Sequence, residues 1–139
     1  MPFAIDSSQA VIRFTLSGTL TNQDLQELGS EAERLDRSFA VVPHRLTDCR
    51  PITRLEINFG GVLALARERL KLEFPNTFKS AIVAGDVVQY GFARMFETLN
   101  DHPQIVIAVF SDEAEAMRWL SEPGTEPFRP QMAFRTTTN

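Results

Sequence analysis

Cys49 is the single thiol of the chain and His44 the base nearest to it, so covalent chemistry would have to start from this pair. In an extended segment their separation of five positions spans roughly 16 Å and turns the two side chains to opposite faces, which argues against a nucleophile–base couple. His44 and His102 are the two histidines. Without a second cysteine they fall short of the usual zinc ligand sets, and no metal or other cofactor is expected. The carboxylates offer more. Asp48, Asp86 and Asp112 each follow an apolar run and precede a stretch with helical spacing. In an open α/β sheet that edge collects ligands, and the helix N-termini gathered there favour an anion. Three acids repel an anion, however, and the chain has no Gly-x-Gly-x-x-Gly or Walker-type loop. Two readings stay open: the acids cap helices, or they mark a ligand or partner site. Arg45 and Arg50 flank Asp48, with Arg54 close by. They form either solvated ion pairs, each worth about 0–1 kcal/mol, or a patch for an acidic partner or lipid headgroup.

A second group is apolar. The run Gln89-Tyr-Gly-Phe-Ala-Arg-Met-Phe carries Tyr90, Phe92, Met95 and Phe96 around more of a helix than one buried face needs. Plain core is one reading. The other is an apolar pocket between helices, or a dimer face. An enzyme is not expected, because no acid–base or nucleophile–base spacing emerges.

These residues need elements to position them. Phe3-Ala-Ile and Ala10 to Leu16 read as a hairpin, the second strand alternating with Ile12, Phe14 and Leu16 on one face. Thr21 caps a helix with Asp24 three residues on, and Leu25, Leu28, Ala32 and Leu35 form its inner stripe. Phe39 to Thr47 reads as a strand, complicated by Pro43, which has no N–H for a ladder. Thr53-Arg-Leu-Glu56 has capping-box spacing, so a second helix is expected behind it, with Leu55, Phe59, Val62, Leu63, Ala66 and Leu70 inward. Gly60-Gly61 inside that helix costs about 1 kcal/mol per glycine and signals either close helix packing or a kink. Lys79 to Ala84 is a short strand. Asp86 caps a third helix with Val88, Phe92, Met95, Phe96 and Leu99 inward. Gln104 to Phe110 is the most apolar strand and is expected at the centre of the sheet. Ser111-Asp-Glu opens a fourth helix, with Ala116, Met117 and Leu120 inward. Pro123 begins a proline-rich stretch, and Gln131 to Phe134 is a candidate edge strand.

The order β-β-α-β-α-β-α-β-α implies an α/β fold: a mixed, mostly parallel five-stranded sheet with an N-terminal hairpin and about four helices. Residues 1–121 make the domain and 122–139 an extended tail. At 139 residues and a net charge of −4, the chain suits one core and lacks the basic face nucleic acid requires. One cysteine fits a reducing cytoplasm, the N-terminus has no basic segment leading an apolar core, and no apolar run is long enough for stable membrane insertion.

Three segments carry a resemblance. Phe14-Thr-Leu-Ser-Gly-Thr-Leu-Thr-Asn-Gln-Asp-Leu resembles the first strands and helix of the SpoIIAA-like branch of the STAS superfamily. Val42-Pro-His-Arg-Leu-Thr-Asp48 resembles the strand ending in a carboxylate ahead of the family's second helix. Val109-Phe-Ser-Asp-Glu-Ala-Glu-Ala-Met-Arg-Trp-Leu resembles its last strand and helix. The anti-sigma-factor antagonists of that superfamily are switched by phosphorylation of a serine in an Asp-Ser-Ser-Gly-Leu-like turn. The matching stretch here is Ile57-Asn-Phe-Gly-Gly, which places Phe59, or Asn58, at the acceptor position. Neither carries a hydroxyl. The resemblance therefore implies a cytoplasmic, non-enzymatic protein-interaction domain, with a regulatory role open to it but without the serine switch. Its partner is another protein or itself, as a homodimer. The alternative is a small apolar or amphipathic, lipid-like ligand between the second and third helices. The candidate binding residues are Asp48, Arg50, Asn58, Phe59, Gly60, Tyr90, Phe92 and Phe96.

Overall fold

The computed structural model describes residues 2–123. The N-terminal hairpin forms as the alternation requires. β1 (Phe3–Asp6) pairs antiparallel with β2 (Ile12–Leu16), and Ile12, Phe14 and Leu16 are all buried. β3 (Gly18–Thr21) runs straight into α1 (Asn22–Asp36). The capping box is complete: Thr21 accepts from the Asp24 N–H, and Asp24 accepts from the Thr21 N–H at 2.8 Å. Leu25, Leu28 and Ala32 face the core.

Beyond α1 the chain runs irregularly until β4 (Arg45–Asp48). The long strand expected from Phe39 shrinks to these four residues. Pro43 cannot donate to a ladder, and ahead of it Asn76 takes the place of a neighbouring strand. Its side chain accepts from the Val42 N–H at 2.7 Å and donates to the Val42 carbonyl at 3.0 Å. β5 (Ile52–Glu56) occupies the stretch read as a capping box, and α2 begins later, at Phe59, and ends at Leu70. The helix is capped by Asn58, which accepts from the Gly61 N–H, so the two glycines lie in its first turn and not in its middle. Its inward residues are Val62, Leu65, Ala66 and Arg69; Phe59 and Leu70, expected inside, are exposed.

β6 (Phe78–Val83), α3 (Val87–Leu99), β7 (Ile105–Phe110) and α4 (Glu113–Ser121) complete the described chain. Asp86 caps α3 through the Gln89 N–H, and Asp112, not Ser111, caps α4 through the Ala114 N–H. On α3 Val88 points out, and on α4 Met117 does, contrary to their expected inward places. Gln131 to Phe134 lies outside the described residues.

The main sheet has the order β1-β2-β4-β6-β7, all neighbours parallel except the hairpin. β7 is therefore an edge strand, not the central one. Its apolar run misleads because Val106, on the open side, is aliphatic without being buried. The fully buried strand is β6. One face of the sheet packs against α1, α2 and α3; on the other, α4 is the one helix among the described residues, and its Ala116 and Leu120 meet Leu46, Ala81 and Val83. A second, two-stranded sheet pairs β3 with β5 in parallel and sets the starts of α1 and α2 side by side. No helix among the described residues is long and apolar enough to cross a membrane.

Candidate functional site

Strand alternation separates residues that the sequence places together. Arg45 and Asp48 lie three apart on β4, so they point to opposite faces of the sheet. Asp48 emerges on the α4 side, where Arg13 reaches it at 3.0 Å and Arg50 at 2.8 Å. Both arginines also pair with Glu113, in the first turn of α4. Burial pushes the Asp48 carboxyl up, but hydrogen bonds from the Arg50 side chain and backbone outweigh it and hold the group below the usual carboxylate range. Hydrogen bonds from Arg13 lead in holding Glu113 low as well. With its acids matched by arginines, this cluster fastens β2, β4 and α4 together. Arg54 pairs with Glu56 at 2.6 Å on β5, and Arg45 is buried elsewhere, so the arginine patch expected around Asp48 does not assemble.

Asn58, Phe59 and Gly60 form the start of α2. The Asn22 side chain donates to the Asn58 side-chain oxygen and accepts from the Asn58 N–H, both at 3.2 Å, which links the first turns of α1 and α2. Gly61 is needed for that approach, since a Cβ there would lie 1.9 Å from Asn22 Oδ1. Close packing is thus the reason for a glycine at 61. Phe59 stands outside the junction, 54% exposed. It forms one wall of a shallow groove whose other wall is α3, with Tyr90 on its outer side and the half-buried Met95 and Leu99 at its inner edge. Arg94 borders the groove and pairs with Glu97.

Phe92 and Phe96 lie on the side of α3 away from Tyr90 and face inward. They line an apolar chamber of about 130 Å³ between the three helices and the sheet. Val62 and Leu65 close it from α2, Leu25 and Leu28 from α1, and Ile82 and Cys49 from the sheet and its β4 loop. A second lobe of about 80 Å³ adjoins it, sharing Leu28, Thr47, Leu65, Ser80 and Phe96. The aromatic excess read along α3 therefore resolves into two sites on two faces: Tyr90 in the groove, Phe92 and Phe96 in the chamber.

The smaller lobe has a charged wall that sequence reading missed. Arg45 and Arg69 both line it, and both are buried. They share a single carboxylate, Asp36, which accepts from Arg45 Nη2 at 2.6 Å and from Arg69 Nη2 at 3.1 Å. Aromatic faces supply part of the remaining solvation: Arg45 lies 4.3 Å from the Phe78 ring centroid and Arg69 5.4 Å from that of Phe74. Two guanidinium groups against one carboxylate leave an excess positive charge. Burial pushes the Arg45 pKa down, the Asp36 charge opposes this, and the Arg69 charge adds to it. Arg45 Nε and Arg69 Nη1 have no hydrogen-bond partner among the described residues. Each such orphaned N–H costs about 1–3 kcal/mol.

Cys49, on the chamber wall, is unsuited to nucleophilic work. Burial first, and then the Asp48 charge, push its thiol up to about 12. His44 accepts the Lys79 N–H through Nδ1 at 2.9 Å. Among the described residues no three His, Cys, Asp or Glu side chains are grouped to hold a metal.

A wound sheet with a hairpin edge, three of the described helices on one face and one on the other matches solved structures with a SpoIIAA-like fold. An uncharacterised protein of the DUF3478 family with a SpoIIAA-like fold, from Shewanella loihica PV-4, is similar at 22% identity and a TM-score of 0.54, over 85% of this chain and 91% of that one. An anti-sigma factor antagonist from Mycobacterium paratuberculosis is similar at 12% identity and a TM-score of 0.56, over 86% of this chain and 93% of that one. Likeness at such identities is a likeness of fold. No protein-family profile and no curated protein matches the chain.

Proposed function

We propose that the chain is a non-enzymatic STAS-like protein-interaction domain with a regulatory role, docking a protein partner in the groove between Phe59 and α3. The observation that carries this reading is the position of the exposed apolar surface. Phe59 and Tyr90 are 54% and 38% exposed, and Phe59 sits at the first residue of α2, where the resembling antagonists place their switch serine. A large apolar side chain in water at that point is explained by a surface that covers it. A protein is the partner of choice because the Mycobacterium neighbour is, by its name, a protein that acts on an anti-sigma factor. The test is titration calorimetry of the chain, and of Phe59→Asp, against a purified anti-sigma factor from the same genome, with light scattering to follow self-association. Binding that Phe59→Asp abolishes at unchanged melting temperature supports the reading. Binding indifferent to Phe59→Asp overturns it. A dimer that Phe59→Asp splits makes the occupant a second copy.

A second reading has its own observation, the apolar chamber beneath Phe92 and Phe96. It supports a small apolar or amphipathic ligand held between the helices and the sheet. Native mass spectrometry of the purified chain tests it, a bound mass supporting the ligand and a bare chain counting against it.

A further inference from the structure

We infer that the two-lobed chamber takes a medium-chain carboxylate, its apolar chain in the Phe92–Phe96 lobe and its carboxylate between Arg45 and Arg69. This rests on the ligand reading just given and adds the head group and the size. Three observations point to it. First, the larger lobe is almost wholly hydrocarbon, with Leu16, Leu25, Ile52, Val62 and Phe96 among its walls. An aliphatic or aromatic body fits there, and a polar one does not. Second, the smaller lobe ends on two buried arginines that share one carboxylate, Asp36. The site therefore has one positive charge more than it can neutralise, and a monoanionic head balances it. Third, Arg45 Nε and Arg69 Nη1 are buried N–H groups without partners among the described residues, and they belong to the two arginines that line the lobe from β4 and α2. A carboxylate has two oxygens, and one N–H from each arginine satisfies both.

Volume sets the length. An apolar cavity of about 150 Å³ holds benzene, with its six heavy atoms. On that scale lobes of about 130 Å³ and 80 Å³ hold a ligand of about eight heavy atoms. Hexanoate and octanoate bracket that size; a full-length membrane lipid acyl chain exceeds it.

The experiment is calorimetric titration of the full chain with hexanoate and octanoate and with the neutral alcohols of the same length, repeated on Arg69→Met. Arg69→Met leaves Arg45 and Asp36 as a balanced pair, so the variant retains its core. In the unaltered chain the better carboxylate binds at least about tenfold tighter than its alcohol, a modest return for two charge-assisted hydrogen bonds. In Arg69→Met that preference disappears while alcohol binding holds. A second measurement needs no variant: octanoate labelled with 13C at the carboxyl, bound to the unaltered chain, titrates at lower pH than free octanoate because two guanidinium groups favour its anion. Acid and alcohol binding equally, with no shift of the bound carboxyl, overturns the head-group assignment and leaves the ligand reading standing. Absence of binding by every compound in the series overturns both.

Discussion

Replacing Asp36 should harm this protein far more than replacing one of the arginines it holds. Asp36 is 4% exposed and is the only carboxylate hydrogen-bonded to Arg45 and Arg69 among the described residues. Asp36→Asn preserves the shape and deletes the charge. Two guanidinium cations then remain buried, with only the rings of Phe14, Phe74 and Phe78 to solvate them. Removing one partner of a buried ion pair costs about 3–5 kcal/mol. For a chain of this size about 1 kcal/mol moves the melting temperature by roughly 3–5 °C, so a fall of about 10–20 °C is expected. Arg69→Met behaves differently. It forfeits a 3.1 Å hydrogen bond and one ring contact. It also removes the surplus charge and one orphaned N–H, and a flexible apolar chain fills the space. The two contributions offset, leaving stability within about 1 kcal/mol of the parent. Urea unfolding followed by circular dichroism measures both variants under one set of conditions. Equal losses in the two, or a loss under about 1 kcal/mol for Asp36→Asn, would refute the idea that this cluster carries excess positive charge.

Other outcomes follow from the same geometry. Cys49, with a thiol pushed up to about 12, should react with iodoacetamide at pH 8 about a thousandfold more slowly than in the urea-unfolded chain, a rate within tenfold of the unfolded one counting against its burial. His44 is held below its ordinary value by burial, then by the charges of Lys79 and Arg45, so the unfolded chain binds the proton first on acidification. Its contribution is complete above about pH 6.5 and is lost as the pH falls from there towards the lowered folded value; His44→Asn, which keeps an acceptor for the Lys79 N–H, should flatten the stability profile between about pH 7 and 5 in urea titrations. Gly60→Ala places a Cβ no closer than 3.4 Å to Asn58 and should stabilise by up to about 1 kcal/mol, whereas Gly61→Ala drives into Asn22 and should cost about 1–3 kcal/mol; urea midpoints moving in the same direction would disprove that distinction.

Local signals carried over into structure where they were complete within a few residues. The alternation of Ile12, Phe14 and Leu16, the N-cap at Thr21, and the cap at Asp86 each depend on neighbours in the chain, and each stands where it was read. Thr53 to Glu56 shows the failure. Its spacing matches a capping box, yet the segment pairs with Gly18 to Thr21, more than thirty residues away, and no local pattern announces that pairing. Arg45 is the sharpest case. An arginine two residues after a proline reads as solvated, and only the packing of α1 and α2 on the sheet brings Asp36 and Arg69 to it. The candidate residues were legible as types but not as places. Phe59 and Tyr90 share the groove, Phe92 and Phe96 share the chamber, and Asp48 and Arg50 belong to the cluster beside α4. Helical phase, which an aromatic-rich stretch such as 89–96 leaves ambiguous, decided the split.

The short parallel pair of β3 and β5 acts as a rivet. α1 starts at the residue after β3 ends, only Ile57 and Asn58 separate β5 from α2, and the Asn22–Asn58 amide pair pins the two together. The first turns of those two helices are thereby held side by side. α3 enters from the loop after β6 and leaves on the extended backbone of Asn100, and it meets that pair through Gln89, which donates to the Ile52 carbonyl at 3.3 Å. One helix thus carries Tyr90 on its outside, at the groove, and Phe96 on its inside, at the chamber. A molecule lodged against Phe96 and a partner seated on Tyr90 would therefore lean on the same thirteen-residue rod from its two sides.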